Sequence, residues 1–282
     1  MHLISKIKRL KLNQYGSLCT FSSSIDWLNF RFPEIEIQES TPSMDWKALH
    51  QQQHPVIIRG LVEQWPAVSD SNTAWRDLAK LKSRISDSVI VPVEVGNTYM
   101  DPNIRKAEVD LCSFLDYIQI EKHSSKSTDS FPRVYWAQHE LSEVPEMHKD
   151  VTVPDMCLTT GKGALYRTNI WFGGTEGSVS PCHFDPYDNL LCQVLGSKEV
   201  TVFSPEFGNT YLYPAVGTVQ ANTAMVDISN PDFDVHPLYR EGLRVISEQN
   251  TQNEDKQQQL GARGVLRPGD ALYIPFKWWH YC

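Results

Sequence analysis

Three side chains in this sequence have the types and spacing to grip one metal ion. His183 and Asp185 stand two apart in Ser180-Pro-Cys-His-Phe-Asp-Pro-Tyr-Asp-Asn189. On an extended strand, residues i and i+2 face the same side. One strand end can therefore present an imidazole and a carboxylate together. A third donor, His280, ends the run Pro268-Gly-Asp-Ala-Leu-Tyr-Ile-Pro-Phe-Lys-Trp-Trp-His280, where a tight turn feeds a strand. Two histidines and one carboxylate form the facial set of non-haem iron(II) chemistry, which leaves coordination positions open. Those positions suit a bidentate 2-oxo acid and O2. A structural zinc site would instead be closed by four protein ligands. A lone His-x-Asp is a weak signal, because a loop histidine more often just satisfies hydrogen bonds. Lys198 strengthens it. It lies in Gly196-Ser-Lys-Glu-Val-Thr-Val-Phe203, a hairpin return onto a neighbouring strand. A cation there can meet the far carboxylate of a 2-oxo diacid while the keto-acid end stays on the metal.

The elements that must position these groups can be read from hydrophobic periodicity. His54–Gly60, Val89–Val95, Ala164–Phe172, Leu190–Leu195, Glu199–Phe203 and Ala271–Ile274 are short apolar runs between turn signals, so strands are predicted. Helices are predicted at Asp45–His50, from Asn72 to Leu81 with Asn72 as cap, and over Val109–Glu121. Glu121–Ser130 and Ser247–Gly264 are polar, and the latter is expected to be a mobile insert. Short strands recurring after residue 131 point to a jelly roll or barrel. The expected organisation is a lead over residues 1–44, disordered or targeting, and one domain over 45–282. Within that domain a mixed α/β part spans 45–130 and a β core spans 131–282. Only Tyr281 and Cys282 follow His280, too few for another strand, so that end is expected to fray and a closing strand to be missing.

Bulk properties narrow the partners. The chain has 282 residues and a net charge of −8. Its first 25 residues hold Lys6, Lys8, Arg9 and Lys11 and no acid, so the remainder carries 22 basic against 34 acidic residues. An acidic body disfavours nucleic acid and favours a basic protein or peptide. The six cysteines are scattered and do not read as a disulfide framework. No run is long and apolar enough for a membrane span. Leu3, Ile4, Ile7 and Leu10 fall at helical spacing among basic residues, which resembles a mitochondrial presequence. A frayed basic tail, with a nuclear or cytoplasmic location, is the plainer alternative.

At the metal motif the sequence resembles the JmjC-domain oxygenases: the His-x-Asp…Lys…His order matches, as does the Pro-Gly-Asp…Ile-Pro…Trp-His ending. Val91-Pro-Val-Glu-Val-Gly-Asn-Thr-Tyr99, Tyr135-Trp-Ala-Gln-His-Glu-Leu141 and Val144–Asp155 narrow the likeness to the Jumonji-domain-containing protein 5 (lysine demethylase 8) branch. The resemblance implies a mainly β fold with α elements: a double-stranded β-helix, cupin-like core behind a mixed α/β N-terminal part. It implies iron(II) on His183, Asp185 and His280, with 2-oxoglutarate and O2 as co-substrates. The family's tyrosine, serine, asparagine and lysine that hold 2-oxoglutarate match Tyr135, Ser180, Asn189 and Lys198. The loop from Gly173 to Val179 is one residue longer than the family's usual form.

What the resemblance implies in activity is protein hydroxylation, with an arginine side chain as the favoured target. Glu94 and Trp171 are candidates to hold a guanidinium, by ion pairing and by stacking. Histone methyl-lysine demethylation is the alternative within the same chemistry, and tRNA-base hydroxylation is disfavoured by the acidic body. A non-catalytic or truncated binding module is the alternative from another class.

Overall fold

The computed structural model describes residues 30–96, 105–123, 133–174, 179–218, 220–252 and 259–282. The basic N-terminal stretch, most of the Glu121–Ser130 loop and the tip of the Gly173–Val179 loop lie outside them.

From Phe32 onward the strands are β1 (Glu36–Glu39), β2 (Val56–Arg59), β3 (Ile90–Val95), β4 (Arg105–Asp110), β5 (Val134–Glu140) and β6 (Asn169–Gly173). They continue with β7 (His183–Phe184), β8 (Asn189–Cys192), β9 (Lys198–Phe203), β10 (Gly261–Leu266), β11 (Ala271–Ile274) and β12 (Trp279–Tyr281). The helices used below are α1 (Trp46–Gln51), α2 (Leu78–Ser83), α3 (Leu111–His123), α4 (Pro205–Tyr211) and α5 (Pro237–Gln252).

Two four-stranded sheets, ordered β1-β2-β11-β8 and β10-β9-β12-β7, form the core. Ile57, Leu272 and Ile274 of the first pack against Val200, Val202 and Ala262 of the second. The other face of the first sheet is covered too: Val56, Ile58 and Tyr273 pack under Leu49 of α1 and Met156. Burial on both faces is why β2 and β11 read as unbroken apolar runs rather than alternating ones. This is a cupin-like jelly-roll core, as expected. A third sheet, β4-β3-β5-β6, stands beside it with α3 packed through Leu111, Phe114, Leu115 and Ile118.

Several sequence expectations need correction. The helix expected from Asn72 begins only at Leu78. Asp70 captures the amides of Asn72 and Thr73 at 2.6 and 3.0 Å, bending the chain, and Asp77 makes the true cap on Lys80 N. The strand expected from Ala164 starts at Asn169. The insert expected over 247–264 is helix α5 as far as Gln252 and strand β10 from Gly261. Tyr239, Leu243 and Ile246 bury one face of that helix despite its polar composition. Gly264, the last residue of that expected insert, sits mid-strand, where a Cβ would come within 2.6 Å of the Ile57 side chain. The lead assigned to residues 1–44 also ends too late. Ile35 is buried, and β1 pairs in parallel with β2. Nor does the chain fray after His280: Tyr281 pairs with Thr201, and Cys282 exchanges backbone hydrogen bonds with Ser180 at 2.8 and 3.3 Å.

One buried ion pair ties the α/β part together. Arg84 donates to both oxygens of Asp150, at 3.1 and 2.7 Å, and Trp75 Nε1 adds a third bond at 2.9 Å. Replacing Asp150 with Ala leaves a largely buried guanidinium without its partner, a loss of roughly 3–5 kcal/mol. The urea midpoint should fall with little change in slope. A shift equivalent to less than about 1 kcal/mol, the range of an exposed pair, would show that water replaces the carboxylate.

Candidate active site

The three candidate metal ligands sit where the second core sheet ends. β12 runs antiparallel to β7 with His280 opposite His183. Their rings lie 4.3 Å apart, centroid to centroid. Asp185 follows β7 directly, and its backbone carbonyl accepts from Lys277 N at 3.2 Å. His280 is almost completely buried, its side chain 5% exposed, whereas the Asp185 side chain is 37% exposed. The centre thus has a closed floor and an open mouth.

Both imidazoles are oriented by their own strands. His183 Nδ1 lies 2.7 Å from the Pro181 carbonyl, and His280 Nδ1 lies 3.2 Å from that of Trp278. A carbonyl only accepts, so in each ring Nδ1 carries the proton and Nε2 keeps its lone pair. His183 Nε2 is 3.9 Å from Asp185 Oδ1, and His280 Nε2 is 3.7 Å from Asp185 Oδ2. These are too long for hydrogen bonds. The donor atoms of all three residues lie within 4.8 Å of one another. Burial, with His183 beside it, pushes the His280 imidazole down to about 4. It is therefore neutral near pH 7, as a ligand must be. Two free imidazole nitrogens and a carboxylate around one point, open on one side, fit a first-row divalent ion.

The other sequence-predicted residues fall into two groups. Tyr135 and Ser180 are hydrogen-bonded to each other, and burial pushes the Tyr135 phenol well up. Lys198 opens β9 and acts electrostatically on the Cys282 thiol. Asn189 opens β8 and donates to Asp185 Oδ2 at 3.3 Å, so in this structure it steadies the carboxylate of the candidate triad. Glu94 pairs with Tyr135 across β3 and β5, and the Tyr135 ring lies 5.8 Å from that of Trp171. Glu94, Tyr135 and Trp171 are thereby brought together from three strands. The Glu94 carboxylate also meets Lys106 Nζ at 3.6 Å.

Sequence reading overlooked Cys282. Burial, opposed by Lys198 and reinforced by Asp185, leaves its thiol pushed up to about 11. The signal was available: Cys282 is two residues past His280, on the same side of an extended segment.

A jelly-roll core with this triad at a sheet end is the architecture of the cupin-like, JmjC-type proteins, and the chain belongs to that family. The cupin-like domain family matches residues 42–282. The chain is 34% identical over 230 residues to Jumonji C domain-containing protein 5 of Drosophila melanogaster, covering 80% of this chain and 51% of that protein. It is 34% identical over 230 residues to lysine-specific demethylase 8 of Danio rerio, covering 80% and 49%. To JmjC domain-containing protein D of Dictyostelium discoideum it is 31% identical over 240 residues, covering 81% and 48%. The chain spans about half the length of these relatives.

Replacing Asp185 with Ala removes the only charged ligand from the mouth of the site. Metal binding should be lost while the circular-dichroism spectrum and melting temperature of the metal-free protein stay close to those of the parent. Undiminished Co(II) binding in a direct titration would place the metal elsewhere.

Proposed function

We propose that this chain is an iron(II)- and 2-oxoglutarate-dependent oxygenase that hydroxylates an arginine side chain of a protein substrate. The observation that carries the oxygenase reading is the triad of His183, Asp185 and His280, with three donor atoms gathered and one side open. Family membership and the relatives named lysine-specific demethylase support the same chemistry. When bound, iron(II) with 2-oxoglutarate and O2 supplies the oxidising power for attack on an unactivated C–H bond.

The chain's own residues supply binding and aim. Lys198 offers a cation to the far carboxylate of 2-oxoglutarate, and the paired hydroxyls of Tyr135 and Ser180 offer donors beside it. Asn189 holds Asp185 in place. Buried Trp279, the neighbour of His280, braces that strand from the opposite face, against Phe184 and α4. On the substrate side, Glu94 and the partly exposed Trp171 ring flank Tyr135. A carboxylate beside an aromatic face suits a planar guanidinium, which can pair and stack at once. Lys106, whose side chain is 81% exposed, is held at Glu94 only loosely and can yield to an incoming cation.

Histone methyl-lysine demethylation is the second reading, favoured by the names of the relatives. It uses the same triad, but the hydroxylated methyl leaves as formaldehyde. Mass spectrometry of arginine and methyl-lysine peptides, incubated with iron(II), 2-oxoglutarate and O2, separates the two. Gain of one oxygen on arginine supports hydroxylation; loss of a methyl from lysine, with arginine untouched, overturns it.

Two variants test the assigned roles. Lys198→Ala should raise the 2-oxoglutarate concentration needed for half-maximal turnover by about tenfold to a hundredfold, the value of a charge-assisted hydrogen bond. An unchanged KM would remove Lys198 from the co-substrate site. Glu94→Gln, which deletes a charge at constant shape, should weaken an arginine peptide while metal and 2-oxoglutarate binding hold. Equal weakening of a neutral peptide would mean that Glu94 is not the counter-ion.

A further inference from the structure

The two histidine ligands are fixed by a strand ladder, whereas Asp185 lies past the end of β7. Its position depends on the turn that joins β11 to β12. That turn contains Lys277 at φ +63°, a left-handed conformation that a lysine adopts only at a cost. Lys277 N donates to the Asp185 carbonyl. The amide just before it, Phe276 N, donates to Asp188 Oδ1 at 3.1 Å. The same oxygen accepts from the hydroxyl of Tyr273 on β11 at 2.9 Å. The other oxygen, Oδ2, lies 3.3 Å from Nε2 of His50 on α1. Gln53 Nε2 in turn reaches the Tyr273 hydroxyl at 3.3 Å. One carboxylate therefore gathers the loop that carries Asp185, the end of β11, the turn that leads to His280, and α1.

We propose that Asp188 is a positioning residue of the metal centre: it clamps the Asp185 loop to the turn before His280 and so sets the separation of the carboxylate from the histidines. It touches no ligand atom and acts through the two successive amides of Phe276 and Lys277. Without it, the Phe276 amide loses its acceptor, and the left-handed Lys277 is left to the turn bond from Trp278 N to the Pro275 carbonyl at 3.1 Å and to its own bond to Asp185. The turn then relaxes and withdraws from the Asp185 carbonyl. The histidine pair, locked by the ladder, stays where it is. The consequence is a centre with two ligands in place and the third displaced.

This inference rests on the metal-site reading, and the experiment separates the two. The full chain, stripped of metal, is titrated with Co(II), following both affinity and the visible d–d spectrum. Asp188→Leu removes both acceptors at similar size. Its Co(II) affinity should fall by about tenfold to a hundredfold, the range seen for residues that orient ligands, with an altered spectrum. Asp188→Asn keeps an oxygen for Phe276 N and the Tyr273 hydroxyl and should restore most of that affinity. Tyr273→Phe, which deletes the hydroxyl's bonds to Asp188 and Gln53 and keeps the ring, should weaken Co(II) by about two- to tenfold and stands in if the leucine variant does not fold. Parent-like affinity and spectrum in Asp188→Leu, or in Tyr273→Phe where that variant stands in, overturn the clamp. So does a lowered melting temperature of the metal-free protein with Co(II) affinity unchanged, which marks a merely structural role. If the parent itself binds no Co(II), the metal reading fails first.

Discussion

The pairing of His280 opposite His183 on adjacent antiparallel strands is the constraint on which the site depends. Side chains alternate with a period of two along a strand, so a slip of one residue would turn either histidine to the other face. In register, each histidine also reaches the carbonyl two residues before it, and each Nε2 is left free by the same local device. Neither ring needs a distant carboxylate to set its tautomer. The site inherits its precision from backbone hydrogen bonding, the least adjustable interaction in the fold.

That register is held by packing around it. β11 lies between β2 and β8, with all four of its residues buried, and it feeds the turn before His280. Trp279, next to His280, presses on α4 so closely that a Cβ on Gly208 would come within 2.0 Å of its indole nitrogen. It also meets Phe184 of β7 edge-on, with ring centroids 4.9 Å apart. Interiors this dense do not deform gradually. The two strands that carry the histidines are thus braced on the core side, and the freedom left in the site lies on the solvent side, with Asp185.

The third sheet divides the labour. Its inward face, with Trp136 and Phe172, packs α3. Tyr135 and Trp171, the neighbours of those two residues on β5 and β6, point the opposite way and meet each other. Period-two alternation thus lets one strand build a core and a binding wall at once. The bulge between Trp136 and His139, with Gln138 at φ +53°, breaks the β5·β6 ladder just past these residues.

Much of this was legible in the sequence, for a physical reason. Ligand spacing of two on a strand, apolar runs bounded by turn residues, and a Pro-Gly-Asp turn are local patterns, and local geometry reports them directly. Strands β2, β9 and β11 and the triad were therefore readable. What only the tertiary structure decided is non-local. The polar run at 247–252 is helical because Tyr239, Leu243 and Ile246 found a core to cover. Residues 36–39 are a strand because β2 offered a free edge in parallel register. Cys282 lies beside Lys198 and Asp185, and Asp188 beside His50 and Tyr273, only because sheets far apart in sequence close on one another. Composition and periodicity carry no record of which distant neighbour a polar side chain will meet; that is settled when the two core sheets pack and bring the strand ends together.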